Sequence, residues 1–521
     1  MYFSRSRYRV ISIRFFLYAV ILFSLYLCVS FYLMSESMNF TSKIRVHNIT
    51  AIKLPNVVVH LDLKGFPPKL SYLKDLLPTL QELGVTGLLI EYEDMFPYEG
   101  RLVNLSTRYA YNKTELKDFL QTVIHFGFDV IPLIQTFGHM EHVLKNKEFA
   151  HLRELPTQSN VICPSKSESR LLIRNMLEQI IKFHQSILPL KYFHIGADEV
   201  YQTYYINKCK QCLQRHETNA TIYLKHVKET TDFVKEISPQ TTVLLWDDML
   251  RKISIKDWGH AKNLRAEPVY WRYNMKEKIS HAALYQYHKN FDDIWIASAF
   301  KGADGMTATL PIVQDRLSNH LDWMLLIQNY KFGGEVDTHS FKGIILTGWS
   351  RYFHGAPPCE LLPVAIPSLY LNLLLIKKFR EGHDMTNSHD TIDFFHKNLK
   401  DDLTEWLRCG ETVDLDDIET KACSFNGDDL YKVIFNSDMI ISHITYNMEL
   451  ILKYYTDDEY RQHNIQMYNK YLTDMWFLES KMKKVLARYY YDNLVTEYVQ
   501  YRLEPTKKIL HKFLKLNAVF M

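Results

Sequence analysis

The chain has 521 residues, 47% of them hydrophobic, 14% aromatic and 23% charged, globular proportions that exclude disordered, collagen-like and coiled-coil classes. Lys plus Arg at 62 against Asp plus Glu at 59 leave a formal charge of +3, too weak a field to imply a nucleic-acid partner. At roughly 150 residues per domain the length holds about three domains, or one (β/α) barrel of about 250 residues or more with appendages.

Residues 1–14 carry Arg5, Arg7, Arg9 and Arg14, and from Phe15 to Met34 the chain reads FFLYAVILFSLYLCVSFYLM without a formal charge. About 20 such residues in a helix match the thickness of a bilayer core. The basic residues ahead of the run keep the N-terminus in the cytoplasm, so the reading is a type II signal anchor with the bulk of the chain lumenal or extracellular. A cleaved signal peptide has a shorter apolar region and an Ala-x-Ala-like site; neither is present. A short lumenal stem, 35–54, follows. Five sequons, at Asn39, Asn48, Asn104, Asn112 and Asn219, agree with passage through the secretory pathway to the Golgi or cell surface. Cys28 falls in the apolar run, and Cys163, Cys209, Cys212, Cys359, Cys409 and Cys423 remain for an oxidising compartment. Their pairing is open. Cys209-Lys-Gln-Cys212 stands without a second such pair, so a structural disulfide is the plainer reading, and no metal or organic cofactor is expected.

From about residue 55 short β-branched runs alternate with helical stretches. The strand runs are Val57–Asp62, Gly87–Tyr92, Asp129–Gln135, Tyr192–Gly196, Thr242–Asp247, Pro268–Trp271, Ile294–Ser298 and Gly343–Gly348. Several are continuously apolar, as in parallel strands covered on both faces. Helical spacing over Lys69–Leu83, Glu115–Phe126, Ser167–Leu188 and Ile222–Ile237 supplies crossovers. Eight such units over residues 55–375 predict a (β/α)₈ TIM barrel, and residues 376–521, rich in Met and Tyr at helical spacing, predict a mostly helical C-terminal region. The oligomeric state is not legible.

In a TIM barrel the chemistry sits at the carboxyl ends of the strands. The clusters there are HLDLKG, EYEDMFPYEG, QTFGHMEH, GADEVY, WDDM, YWRYN, AFKGADG and TGWSRYFH. Turns alone account for Gly and Asp, but they do not call for Trp and paired carboxylates. The sharpest signal is Tyr192-Phe-His-Ile-Gly-Ala-Asp-Glu-Val, which ends in Asp198 and Glu199. Neighbours in extended chain point different ways, so one carboxylate can reach a leaving group while the other contacts another part of a substrate.

His-x-Gly-x-Asp-Glu resembles the catalytic motif of family 20 glycoside hydrolases, the β-N-acetylhexosaminidases. Val130-Ile-Pro-Leu-Ile-Gln-Thr-Phe-Gly-His139, Leu245-Trp-Asp-Asp248 and Thr347-Gly-Trp349 are similar to further segments of that family, in the same order. The resemblance implies substrate-assisted retention, in which the sugar's own 2-acetamido oxygen attacks the anomeric carbon. Glu199 then acts as general acid and afterwards as base, and must begin protonated. Asp198 accepts the acetamido N–H. Trp246, Trp271 and Trp349 offer flat walls for the methyl group and pyranose face, with Asp247 beside them. His139 communicates with Glu199, and Glu93 or Asp94 is its expected carboxylate partner.

Where better-known members grip hydroxyls with an Arg on the first strand and a Glu after the last tryptophan, this chain has Lys64 and Arg351. The branch of the family that departs in the same way prefers galactosaminides, which implies N-acetylgalactosamine release with Asp62 and Lys64 as hydroxyl contacts. The implied partners are a glycan or glycoconjugate substrate and a membrane through the N-terminal helix. Two alternatives stand: a non-catalytic carbohydrate-binding barrel, and a conventional two-carboxylate retaining glycosidase pairing Glu199 with Asp247 or Glu91.

Overall fold

A computed structural model describes residues 54–200, 206–254, 256–261, 264–332, 335–336, 341–383, 390–454 and 458–517. The tail 1–14, the apolar run 15–34, nearly all of the stem, Asn39, Asn48 and Cys28 lie outside the described residues.

Eight parallel strands close into a barrel: β1 (Asn56–Asp62), β2 (Gly87–Glu91), β3 (Asp129–Leu133), β4 (Tyr192–His194), β5 (Thr242–Trp246), β6 (Ala266–Trp271), β7 (Trp295–Lys301) and β8 (Gly343–Gly348). Each pairs with its neighbour in chain order, and β1 meets β8 with Val58 opposite Ile345. Pleating sends alternate side chains inward, and Val58, Leu89, Ile131, Leu244, Val269 and Ile345 fill the interior, closed at the mouth by Trp246. The barrel is therefore a packed core whose upper layer is aromatic.

All eight expected strands are present, with ends that differ by a few residues. β4 stops at His194 because Gly196, Ala197 and Glu199 take positive φ (64°, 69° and 52°), which ends the ladder. Two crossover helices begin earlier than their apolar spacing indicates, at Lys113 and Asn219. In each case a polar residue just before the helix caps it: Asn112 Oδ1 accepts from Glu115 N–H and Thr218 Oγ1 from Thr221 N–H. A short hairpin, Lys331–Phe332 with Glu335–Val336, has no counterpart in the expected elements.

The expected boundary at residue 375 falls inside the helix Ile366–Arg380. Together with the preceding turn this is the stretch long and apolar enough to cross a membrane among the described residues, and 89% of its apolar window is buried within the protein; it is a core helix of the barrel. Beyond it, Asp428–Tyr454, Asp458–Tyr489 and Asp492–Asn517 form a helical region. This region docks on the loop after β1: Phe66 packs on Tyr490 (4.8 Å between centroids), and Lys69 N–H donates to Tyr489 C=O at 2.7 Å. A disulfide joins Cys409 to Cys423. Cys209 and Cys212 are not joined to each other; they flank the start of a one-turn helix, with Cys212 N–H donating to Cys209 Sγ at 3.2 Å.

Candidate active site

The turn after β4 is shaped by two glycines. At Gly196 a Cβ would lie 2.1 Å from Gln135 Oε1, and at Gly138, in the loop after β3, 2.3 Å from the Asp198 carbonyl oxygen. Only glycine allows both approaches. His194 serves the same turn: its Nδ1 accepts Gly196 N–H at 3.0 Å, and its ring lies 4.3 Å from Trp246. Burial lowers His194 to about 3, so it is a neutral acceptor. From β5, Trp246 N–H donates to Gly196 C=O (3.1 Å), and Asp248 Oδ2 accepts Glu199 N–H (3.0 Å). The backbone of the acidic pair is thus held on two sides.

The close approach at Gly138 sets His139 between the two carboxylates. His139 Nε2 lies 3.5 Å from Asp198 Oδ2 and 3.3 Å from Glu199 Oε2. Burial works against charge on this ring, but Asp198, Glu199 and Glu141 raise it to about 10, so it is a cation at neutral pH. Asp198 is raised to about 7, first by burial and then by Asp248, Glu199 and Glu91, with His139 pulling the other way. Its Oδ1 is buried without a hydrogen-bond partner among the described residues. The Glu199 side chain is 33% exposed against 9% for Asp198, which leaves Glu199 the accessible member of the pair.

Two indoles adjoin at the mouth, Trp246 with Trp349 at 5.8 Å. Trp271 stacks on Tyr273 at 5.1 Å and 26°, and Tyr273 stands 6.4 Å from Trp349. The three predicted tryptophans therefore share one aromatic surface, and Trp246 Nε1 is buried without a partner among the described residues.

The adjacent pair Asp247–Asp248 divides differently from expectation. Asp247, assigned to substrate, is fully buried: its oxygens take Arg251 Nη2 (2.9 Å), Trp271 N–H (3.1 Å) and Tyr287 OH (2.8 Å). Asp248 faces the site, with Oδ2 on the Glu199 backbone and Oδ1 3.4 Å from Trp271 Nε1. The sequence shows two neighbouring carboxylates but not which one a turn sends inward.

Glu93 and Asp94 are not partners of His139. They bind the ring of His354 from the loop after β8, through Nδ1 at 3.1 Å and Nε2 at 3.2 Å. Both carboxylates hold that ring charged, raised to about 9 against burial. Lys64 is buried among Asp62 (3.3 Å), Glu93 (3.3 Å) and Glu91 (3.9 Å), with its ammonium 5.4 Å from the Trp349 ring. Burial opposes its charge, but these carboxylates win and raise it well above its ordinary value. Asp62 also accepts Ser350 N–H at 2.8 Å. Glu91 binds His60 (3.0 Å) and Gln135 (3.2 Å). Arg351 turns from the mouth to the helical region, meeting Glu497 at 2.6 Å and the Gly65 carbonyl at 3.2 Å.

Sequence reasoning missed Asp248, His354, Tyr273 and His60. All four stand inside strand-end clusters already singled out, but nothing in a linear pattern tells which member of a cluster turns inward. His60 precedes Asp62 on β1, and pleating puts both on the inner face.

A mouth both acidic and aromatic, at the carboxyl ends of eight parallel strands, places the protein among the glycoside hydrolases. The profile of "Glycosyl hydrolase family 20, catalytic domain" matches residues 45–289. Hexosaminidase D of Bos taurus is 42% identical over 332 residues, which cover 62% of this chain and 93% of that relative. Hexosaminidase D of Homo sapiens is 42% identical over 334 residues, covering 63% and 66%. A β-N-acetylhexosaminidase from Bacteroides fragilis is similar in structure, with a TM-score of 0.47 and 16% identity over 66% of this chain and 69% of that one. The chain belongs to glycosyl hydrolase family 20.

Proposed function

We propose that the protein is a β-N-acetylhexosaminidase that releases terminal non-reducing N-acetylhexosamine, galactosaminides in preference, by substrate-assisted retaining catalysis. The observation that carries the mechanism is the enclosure of the rival nucleophiles. Glu91 and Asp247, the carboxylates a two-carboxylate mechanism recruits, are both 0% exposed, and each is bound by several protein groups. The sugar's own acetamido oxygen then attacks the anomeric carbon while Glu199 gives its proton to the departing glycosidic oxygen. The C1–O bond to the aglycone breaks as the ring of an oxazolinium closes. Asp198 accepts the acetamido N–H and balances the positive charge of that ring. Glu199, now ionised, takes a proton from water, whose oxygen opens the oxazolinium with retention.

The cluster supplies the proton that starts this cycle. Asp198 and Glu199 share the charge of His139, Asp248 is bound to the Glu199 backbone beside them, and like charges this close do not all ionise together. Trp246, Trp271, Tyr273 and Trp349 receive the sugar, and Asp62 and Lys64 set the recognition of its hydroxyls.

The reading extends to location, a type II membrane glycoprotein with its barrel lumenal. The charge-free run Phe15–Met34 behind four arginines supports it, as do the Cys409–Cys423 disulfide and the exposure of Asn104 and Asn112.

The test is hydrolysis of aryl N-acetylgalactosaminide and N-acetylglucosaminide side by side, with the matching glycosides that lack the acetamido group. Faster cleavage of the galactosaminide and none of the last pair is expected; equal cleavage of sugars without the amide rules out substrate assistance. Glu199→Gln lowers kcat by about 10²-fold or more, the usual worth of a general acid–base. Saturable sugar binding without turnover by the unmodified protein supports the carbohydrate-binding reading instead.

A further inference from the structure

Glu154 and Cys163 lie on the loop that follows β3, and Cys209 and Cys212 on the segment that follows β4. One ligand atom from each, three sulfurs and a carboxylate oxygen, fall within 4.8 Å of one another. Cys163 Sγ is 3.7 Å from Cys212 Sγ and 2.9 Å from Cys209 Sγ, and Cys212 Sγ is 3.4 Å from Glu154 Oε2. Tetrahedral zinc with Zn–S of about 2.3 Å and Zn–O of about 2.0 Å spaces sulfurs by ~3.8 Å and sulfur from oxygen by ~3.5 Å. Two of the three measured edges match, and the third needs Cys209 Sγ to swing out by about 0.9 Å.

We propose that Glu154, Cys163, Cys209 and Cys212 bind one structural zinc ion that ties the loop after β3 to the segment after β4.

The surroundings of these groups are those of a metal centre. Glu154 is 1% exposed and makes no ion pair among the described residues; a buried carboxylate calls for a counter-charge. Lys208 N–H and Cys209 N–H fix its Oε1 (2.6 and 2.9 Å), so that Oε2 faces the sulfurs. Cys212 N–H donates to Cys209 Sγ, and Ser165 Oγ, 3.0 Å from Cys212 Sγ, takes a hydrogen bond from Arg215. Outer-shell donors of this kind orient ligands and temper their negative charge. A disulfide accounts for less, since it joins two sulfurs and leaves the third beside a buried carboxylate that has no cationic partner among the described residues.

The ion has structural reach. Ile162 N–H donates to Phe137 C=O (3.2 Å) and Met140 N–H to Asn160 C=O (3.0 Å), so the stretch ending in Cys163 is bonded on both sides of Gly138 and His139. The other two cysteines lie on the chain leaving Glu199. Zinc thus links the two loops that carry the histidine and the acidic pair. The Cys-x-x-Cys alone gives only half of this site; the third sulfur comes from a different barrel unit.

The experiment is elemental analysis of the full chain, purified in detergent without chelators and dialysed against metal-free buffer, beside non-reducing peptide mapping. About one zinc per chain with no peptide linking Cys163, Cys209 and Cys212 is expected. A zinc-free chain in which two of these sulfurs are cross-linked overturns the proposal. Cys163→Ser and Cys212→Ser lose the metal, whereas Glu199→Gln keeps it, which separates this site from the catalytic one; zinc retained by both serine variants overturns it as well. In chelator competition Glu154→Gln weakens zinc by at least the ~10–100-fold that an outer-shell loss costs, and an unchanged affinity removes Glu154 from the ligand set.

Discussion

Replacing His139 by Gln removes the cation that faces both Asp198 and Glu199 at 3.5 and 3.3 Å. Asp198 is raised to about 7 with His139 restraining that rise and Asp248 adding to it. If Asp198 works as the carboxylate, kcat/KM of the free enzyme climbs as pH rises through about 7 and the group ionises. His139→Gln then moves this acidic limb to higher pH, and Asp248→Asn moves it to lower pH. Shifts of the same sign in both variants, or none, refute the assignment. Gly138→Ala probes the same contact from the backbone: its Cβ would meet the Asp198 carbonyl at 2.3 Å, and overpacking of this order costs about 1–3 kcal/mol. Thermal melting checks it, together with loss of activity out of proportion to the lost stability. At this scale the sequence discloses Asp198, Glu199 and His139, because a short motif at a strand end fixes them. It does not disclose that Asp247 serves Arg251 and Tyr287 while Asp248 serves the site, since adjacent side chains look alike until a turn separates them.

The strands were legible for a reason that does not extend to the helices of the C-terminal region. A parallel strand buried on both faces announces itself by a continuous apolar run, as in Val57-Val-Val and Gly343-Ile-Ile-Leu. A helix announces an apolar face but not what that face meets. Trp476 lies within the helix Asp458–Tyr489 and Tyr490 at the bend just after it, yet Trp476 is 65% exposed and Tyr490 1%, packed on Phe66 beside the loop that carries Lys64. Tyr490→Ala is expected to cost about 3–5 kcal/mol, as for a large buried aromatic, and Trp476→Ala no more than ~0.5 kcal/mol. The melting temperatures of the two variants decide it. Equal small shifts refute a stabilising dock of this region on the barrel. The docking also explains the fate of Arg351, which the sequence aligned with a sugar-gripping position. Its guanidinium bridges the Gly65 carbonyl and Glu497, so it joins the loop after β1 to the last helix.

At the scale of the whole molecule, topology decides whether the barrel meets glycans at all, and the sequons make that measurable. Asn104 and Asn112 are exposed, and Asn219 is half-buried at the start of a helix. If the barrel is lumenal, the chain made in animal cells carries glycans at exposed sequons, and an endoglycosidase lowers its apparent mass in steps. Asn112 needs a particular variant. Its Oδ1 caps the helix Lys113–His125 by accepting from Glu115 N–H at 2.8 Å, so Asn112→Gln disturbs a cap worth about 1 kcal/mol along with the glycan. Thr114→Ala removes the sequon and leaves that cap in place. The expected result is one step fewer on the gel at unchanged melting temperature. A C-terminal tag protected from protease in intact microsomes, with an N-terminal tag cleaved, agrees with the same orientation. The reverse protection pattern, with no glycan steps, puts the barrel on the cytoplasmic side and removes the lumenal reading.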